Sequence, residues 1–213
     1  TGINFLCGKA LFHARTPRVK KCYLAFADGF NICLLGVFKY FNFWITEISS
    51  ALQLMGFSVN LPLLKLLLPI GISFYTFRVL SYIIDIYVGK IKPASSFVNF
   101  SLFVSYFPSL LAGPIEKAES FLIKLEAKKK LTEIRVNEGM YLLLYGFFQK
   151  IVIADTLAPL VTEIYSSSIY TGSAVLIATY AFALQLYGDF AGYTNMARGV
   201  SLFFGIDLAK NFN

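Results

Sequence analysis

Charge is scarce in this 213-residue chain: Asp, Glu, Lys and Arg make up 15% of it, against roughly 25% in ordinary soluble domains. Histidine and tryptophan each occur once. There is no G-x-S-x-G elbow, no G-x-x-x-x-G-K phosphate loop and no H-E-x-x-H helix. The usual sequence marks of serine hydrolases, P-loop enzymes and zinc peptidases are therefore missing. The three cysteines, Cys7, Cys22 and Cys33, contain no C-x-x-C and leave one thiol over whichever two are joined. They read as small buried hydrophobes, and no metal site is expected. The single histidine, His13, stands beside Arg15 where an apolar stretch meets a basic loop, a place for interfacial contact before catalysis. No secretory signal with a cleavage site is present, and an opening Thr1 in place of Met reads as the cut start of a longer chain.

What the chain has in quantity is apolar length. Hydrophobic residues reach 57% and the mean hydropathy is +0.65. Between Leu61 and Val88 an apolar run holds Lys65, Arg78 and Asp85. As one helix it would be about 42 Å long, against roughly 30 Å of hydrocarbon, so tilt or a kink at Pro69 is predicted. An ionisable group facing lipid near the midplane costs about 2.5–3.5 kcal/mol, so these side chains are expected to face protein. Further spans fall at 22–45, 97–113, 139–158 and 173–190, with a partial one before His13. The fold class expected is all-α: a polytopic transmembrane helical bundle with broken or re-entrant helices lining a polar interior, residues 1–213 forming one transmembrane domain.

The net charge of +7 lies outside the apolar runs and is read as orientation and contact with membrane lipids. Nucleic acid is not expected as a partner, because no aromatic residue is interleaved with a basic stripe. Placing the basic loop 15–21 in the cytoplasm sends Ile45 outside and brings Lys90 and Lys92 back. A full crossing at 97–113 would then put the basic segment 114–138 outside. A re-entrant element ending at Pro108 and Ala112-Gly113-Pro114 removes the conflict. Residues 116–135 read either as an amphipathic helix on the inner leaflet or against a partner, or as a solvated helical loop.

Three groupings of polar residues stand in apolar surroundings. From Gln185 to Gly199 runs QLYGDFAGYTNMARG, with Gly188-x-x-x-Gly192 as a close-packing motif. Asp189 and Arg198 would fall on opposite faces of a straight helix, so their pairing needs a break, for which Gly192 is the candidate. Lys150 and Asp155 lie five residues apart, roughly 140° around an α-helix, and are read as not sharing a face; Lys150 is expected to meet an acid on another helix, Asp189 or Asp85. Arg78 and Asp85 share a face, with Tyr82 between them. A structural network and the wall of a substrate channel both remain open for these residues.

The phrases FKYFNFW (38–44), LPIGISFYTFRVLSYIIDIYVGKI (68–91), YFPSLLAGPIEKAESFL (106–122), GFFQKIVIADTLAPLV (146–161) and QLYGDFAGYTNMARGVSLFFGIDLAKNFN (185–213) resemble the membrane-bound O-acyltransferase family. They are most similar to its bacterial alginate O-acetylase-like branch. Ala191 stands where that branch often has Ser, and Asn195 where it often has Asp. The resemblance implies a catalytic histidine beyond Asn213, so no catalytic residue is expected within these residues and the chain by itself is expected to be inactive. It implies transfer of an acyl group, acetyl first, onto hydroxyls of an exported polysaccharide such as alginate, at the bacterial inner membrane, with periplasmic or extracellular acetylation partners. Supporting or channel-lining roles fall to Arg78, Lys150, Gln185, Asp189 and Arg198. No bound cofactor is expected; acetyl-CoA or an acyl carrier is the donor class. The alternatives are D-alanyl transfer within the same family and a membrane transporter or channel.

Overall fold

The computed structural model describes residues 1–56, 69–111, 113–114, 116–167 and 171–211. Among the described residues the regular structure is helical, and three stretches are long and apolar enough to cross a bilayer: Pro17–Leu54, Glu133–Ser166 and Gly172–Phe203. The elements are α1 (Gly2–His13), α2 (Pro17–Leu54), α3 (Ile72–Val88), α4 (Phe97–Val104), α5 (Ala118–Glu126), α6 (Glu133–Phe147), a π-helical segment Phe148–Ala154, α7 (Asp155–Ser166) and α8 (Gly172–Phe203). The chain divides into two compact units, one of residues 1–105 with 117–122, the other of 106–116 with 123–213.

Several boundaries differ from the sequence expectation. The predicted spans 22–45 and 173–190 lie inside the longer helices α2 and α8. Helical backbone continues past the apolar core because Thr16 and Thr171 cap the starts, each accepting a bond from the backbone N–H three residues on. Within 61–88, helix is described only from Ile72, after Gly71 at φ +74°; residues 57–68, with Lys65, lie outside the described residues. The stretch 97–113 yields the eight-residue α4 and a 3₁₀ turn at Phe107–Ser109. At about 12 Å, α4 is too short to cross hydrocarbon. Residues 116–135, read either as an amphipathic helix or as a solvated helical loop, hold the nine-residue α5, followed after non-helical residues by the start of α6 behind its Thr132 cap. Of the cysteines only Cys7 is buried; Cys22 and Cys33 are exposed, on a helix with few buried positions.

In the first unit Tyr82 is fully buried, its ring 4.7 Å from that of Phe100 and its hydroxyl accepting from Ala94 N at 3.0 Å. Gly8 lets α1 lie against it: a Cβ there would stand 2.9 Å from the Tyr82 ring. Asn4 and Asn31 exchange amide hydrogen bonds of 3.0 and 2.8 Å, joining α1 to α2. Both are buried, and such reciprocal pairs hold helices together where lipid offers no hydrophobic drive.

In the second unit α8 runs antiparallel to α6 and its continuation, and glycines set the separation. A Cβ on Gly146 would stand 2.7 Å from Gly192 O, and one on Gly199 would stand 2.7 Å from Gly139 O. A Cβ on Gly188 would meet Gln149 O at 3.1 Å. Gly139 and Gly146 are seven residues apart, as are Gly192 and Gly199, a spacing that returns each pair to nearly the same helix face. The obstacle in each case is a backbone oxygen, which cannot rotate aside. Gly146→Ala and Gly192→Ala in the full-length protein are therefore expected to cost about 1–3 kcal/mol by overpacking. Gly29→Ala, with open space at its Cβ, should be neutral or favourable by up to about 1 kcal/mol. Thermal unfolding in detergent checks this: three equal shifts would remove the glycine contacts as the cause.

Candidate functional site

Lys150 projects from the π-helical segment between two carboxylates. Its Nζ lies 2.7 Å from Asp155 Oδ1 and 2.6 Å from Asp189 Oδ1, and 5.7 Å from the centre of the Tyr193 ring. The expectation that Lys150 and Asp155 do not share a face fails here. In this segment the Asp155 N–H donates to Lys150 O, an i→i+5 bond, so residues five apart stack as residues four apart do in an α-helix. Pro159, inside α7, adds to the irregularity, since it has no N–H to return to the Asp155 carbonyl. Asp189 completes the cluster from α8, the neighbouring helix that the sequence offered as one of two sources; Asp85, the other, pairs with Lys90 at 3.8 Å in the first unit.

Beside Lys150, Gln149 is buried and its Oε1 accepts from Asn195 Nδ2 at 2.7 Å. That bond ties α8 to the π segment one glycine contact away from the ion pairs. The sequence reading did not place Gln149; its signal was an amide in the middle of an apolar span. Nor did it place Glu116, whose buried carboxylate pairs with Lys124 at 3.3 Å and accepts the Ala209 N–H. Elsewhere along α8, Thr194 accepts from Asn211 Nδ2 at 3.4 Å and Ser201 from Tyr106 Oη at 3.1 Å.

The remaining predicted residues are not gathered into the Lys150 cluster. α8 runs unbroken from Gly172 to Phe203, so the proposed break at Gly192 does not occur; the small residues there serve close packing. Arg198 is buried, with its Nε lacking a partner among the described residues. Gln185, one turn before Asp189, likewise has an Oε1 without one. Arg78, in the first unit, is buried and donates to Phe103 O at 3.3 Å, which supplies a partner to a carbonyl of the last turn of α4. His13 is exposed, its Nδ1 2.8 Å from Lys9 O. Among the described residues no group of three His, Cys, Asp or Glu is placed to hold a metal ion.

No family model matches the sequence. Against curated proteins, the chain is 36% identical over 183 residues to "Probable alginate O-acetylase AlgI" of Pseudomonas aeruginosa, covering 86% of this chain and 35% of that protein. The chain belongs to the membrane-bound O-acyltransferase family. Its acyltransferase relatives include the "Peptidoglycan O-acetyltransferase" of Helicobacter pylori, 29% identical over 239 aligned residues, 99% of this chain and 44% of that one. A third is the "Teichoic acid D-alanyltransferase" of Bacillus subtilis, 29% identical over 150 residues, 68% of this chain and 37% of that one. The chain spans about a third of the length of the alginate O-acetylases it matches. In this chain, Asn195 is an amide donor to Gln149, and Ala191 is buried on the packed side of α8.

Flanked at contact distance by two carboxylates, the Lys150 ammonium is held in ion pairs, which suits a wall-forming or structural group better than a nucleophile. The pairing has a measurable consequence. In a double-mutant cycle on the full-length protein, Lys150→Met and Asp189→Asn should couple by on the order of 1 kcal/mol. Asp155→Asn should also couple to Lys150→Met, its carboxylate standing 2.7 Å from the ammonium in a span where water does not screen the pair. Additive losses of thermal stability for Lys150 and Asp189 would show that the contact carries no energy.

Proposed function

We propose that the whole protein transfers an acetyl group onto hydroxyls of an exported polysaccharide, alginate or a polymer of similar chemistry, as a multi-pass protein of the bacterial inner membrane. The observation that carries this reading is the 36% identity to alginate O-acetylases across 86% of the chain. D-alanyl transfer has less support, the teichoic acid enzyme matching at 29% over 68% of the chain. In the proposed reaction a base removes the proton of the acceptor hydroxyl as its oxygen attacks the acyl carbonyl. The new ester C–O bond forms, the bond to the donor breaks, and hydrogen-bond donors stabilise the oxyanion between the two steps.

Residues 1–213 supply walls and supports for that chemistry. Lys150, Asp189 and Gln185 line the acceptor or donor path in the second unit and Arg198 supports it; Arg78 has a supporting role within the first unit. The base is proposed to be a histidine outside these residues, because His13, the one histidine of the sequence, is an exposed helix-end residue bonded to its own backbone turn. The donor is acetyl-CoA or an acyl carrier on the cytoplasmic side, and further acetylation proteins act with it outside. A positioned base contributes about 10²–10⁴-fold, so residues 1–213 alone are expected to transfer nothing. The full-length protein with its partners should place acetyl esters on the exported polymer, and His13→Ala should leave the ester content within about two-fold, as no reacting group is removed. Ester assays on polymer from cells carrying each form decide the matter. Activity from residues 1–213 alone, or its loss on changing His13, would overturn the assignment.

A further inference from the structure

Where α6 begins and α8 ends, four cations stand between positions 128 and 135: Lys128, Lys129, Lys130 and Arg135. Backbone oxygens, not carboxylates, hold two of them together. Arg135 Nη1 donates to Lys130 O at 3.2 Å and to Gly205 O at 3.3 Å, and Lys129 Nζ donates to Ala127 O at 3.1 Å. Gly205, at φ +71°, permits the approach: a Cβ there would stand 3.1 Å from Lys129 Cβ and 3.5 Å from Arg135 Nη1. Glu126, Glu133, Glu138 and Asp207 lie near in sequence, yet among the described residues no carboxylate pairs with any of the four cations. Partial burial, then the charge of Arg135, hold the Lys129 ammonium below the usual lysine range. Like charges held this close repel, and an anion joining them would relieve the repulsion.

The position of the cluster identifies that anion. Both neighbouring helices belong to stretches able to cross a bilayer, and their antiparallel packing puts the start of one and the end of the other at the same membrane face, the level of lipid phosphates. Leu131 and Ile134, 62% and 78% exposed, stand among the cations, as in surfaces that dip apolar side chains beneath the headgroups. We infer that Lys129 and Arg135 form a binding site for the phosphate of an anionic phospholipid, with Leu131 and Ile134 entering the acyl boundary. The site is independent of the acyl-transfer reading.

The test is native mass spectrometry of the full-length protein in mild detergent, titrated with phosphatidylglycerol, phosphatidylethanolamine or glycerol phosphate. The wild type should bind phosphatidylglycerol in preference to phosphatidylethanolamine. Lys129→Gln with Arg135→Gln should weaken that binding about 30-fold, from ~1 kcal/mol per basic residue near the surface. Lys129→Arg should retain it, which separates loss of charge from loss of fold, and Leu131→Ser with Ile134→Ser should weaken the lipid but not glycerol phosphate. Equal binding by the Gln variant, equal affinity for both lipids, glycerol phosphate binding as tightly as the lipid, or an acidic protein held there in its place would each overturn the assignment.

Discussion

Polar side chains can be kept from lipid between two helices only if the backbones come close enough to seal the space, and in the second unit that closeness depends on glycine. Gly139, Gly146, Gly188, Gly192 and Gly199 put carbonyl oxygens where side chains would otherwise stand. The helix pair thereby acquires a fixed register. That register brings Asp189 to Lys150 and Asn195 to Gln149, so the polar contacts are consequences of the packing as much as causes of it.

The π-helical segment is the second constraint. A regular α-helix over 148–154 would turn Lys150 and Asp155 away from one another, leaving the ammonium with Asp189 alone in surroundings where an underpaired charge is costly. Widening the turn by one residue stacks the two side chains at 2.7 Å. Segments of this kind occur often at functional sites, and here the segment falls within GFFQKIVIADTLAPLV, one of the phrases through which the chain resembles the acyltransferase family. In the proposed role the irregular turn keeps a cation at mid-span while its neighbours Ile151 and Val152 remain exposed for lipid.

Apolar composition made the helical, membrane class legible, because about 20 apolar residues without a break have few other uses. Helix ends were less legible: α2 and α8 continue into segments whose hydropathy no longer marks them, and the Thr16 cap with Pro17 behind it and the Thr171 cap announce their starts. The need of Lys150 for an acid on another helix followed from the cost of burying charge. Its contact with Asp155 did not, since the 100° step of an α-helix hides what an i→i+5 turn creates. Asn4 and Asn31 gave no signal, being single amides 27 residues apart that acquire meaning only when α1 and α2 meet. The GxxxG at Gly188 marked the close packing of α8; its partner pattern, the seven-residue spacing shared by Gly139–Gly146 and Gly192–Gly199, was present in the sequence as well.

The most direct test is an electron cryo-microscopy map of the full-length protein in a lipid nanodisc, resolved well enough to place the carbonyls between Phe148 and Asp155. The account predicts the Asp155 N–H aimed at the Lys150 carbonyl and the Lys150 ammonium in contact with both Asp155 and Asp189. Regular α-helical bonding through that stretch, with Lys150 turned toward lipid, would contradict it.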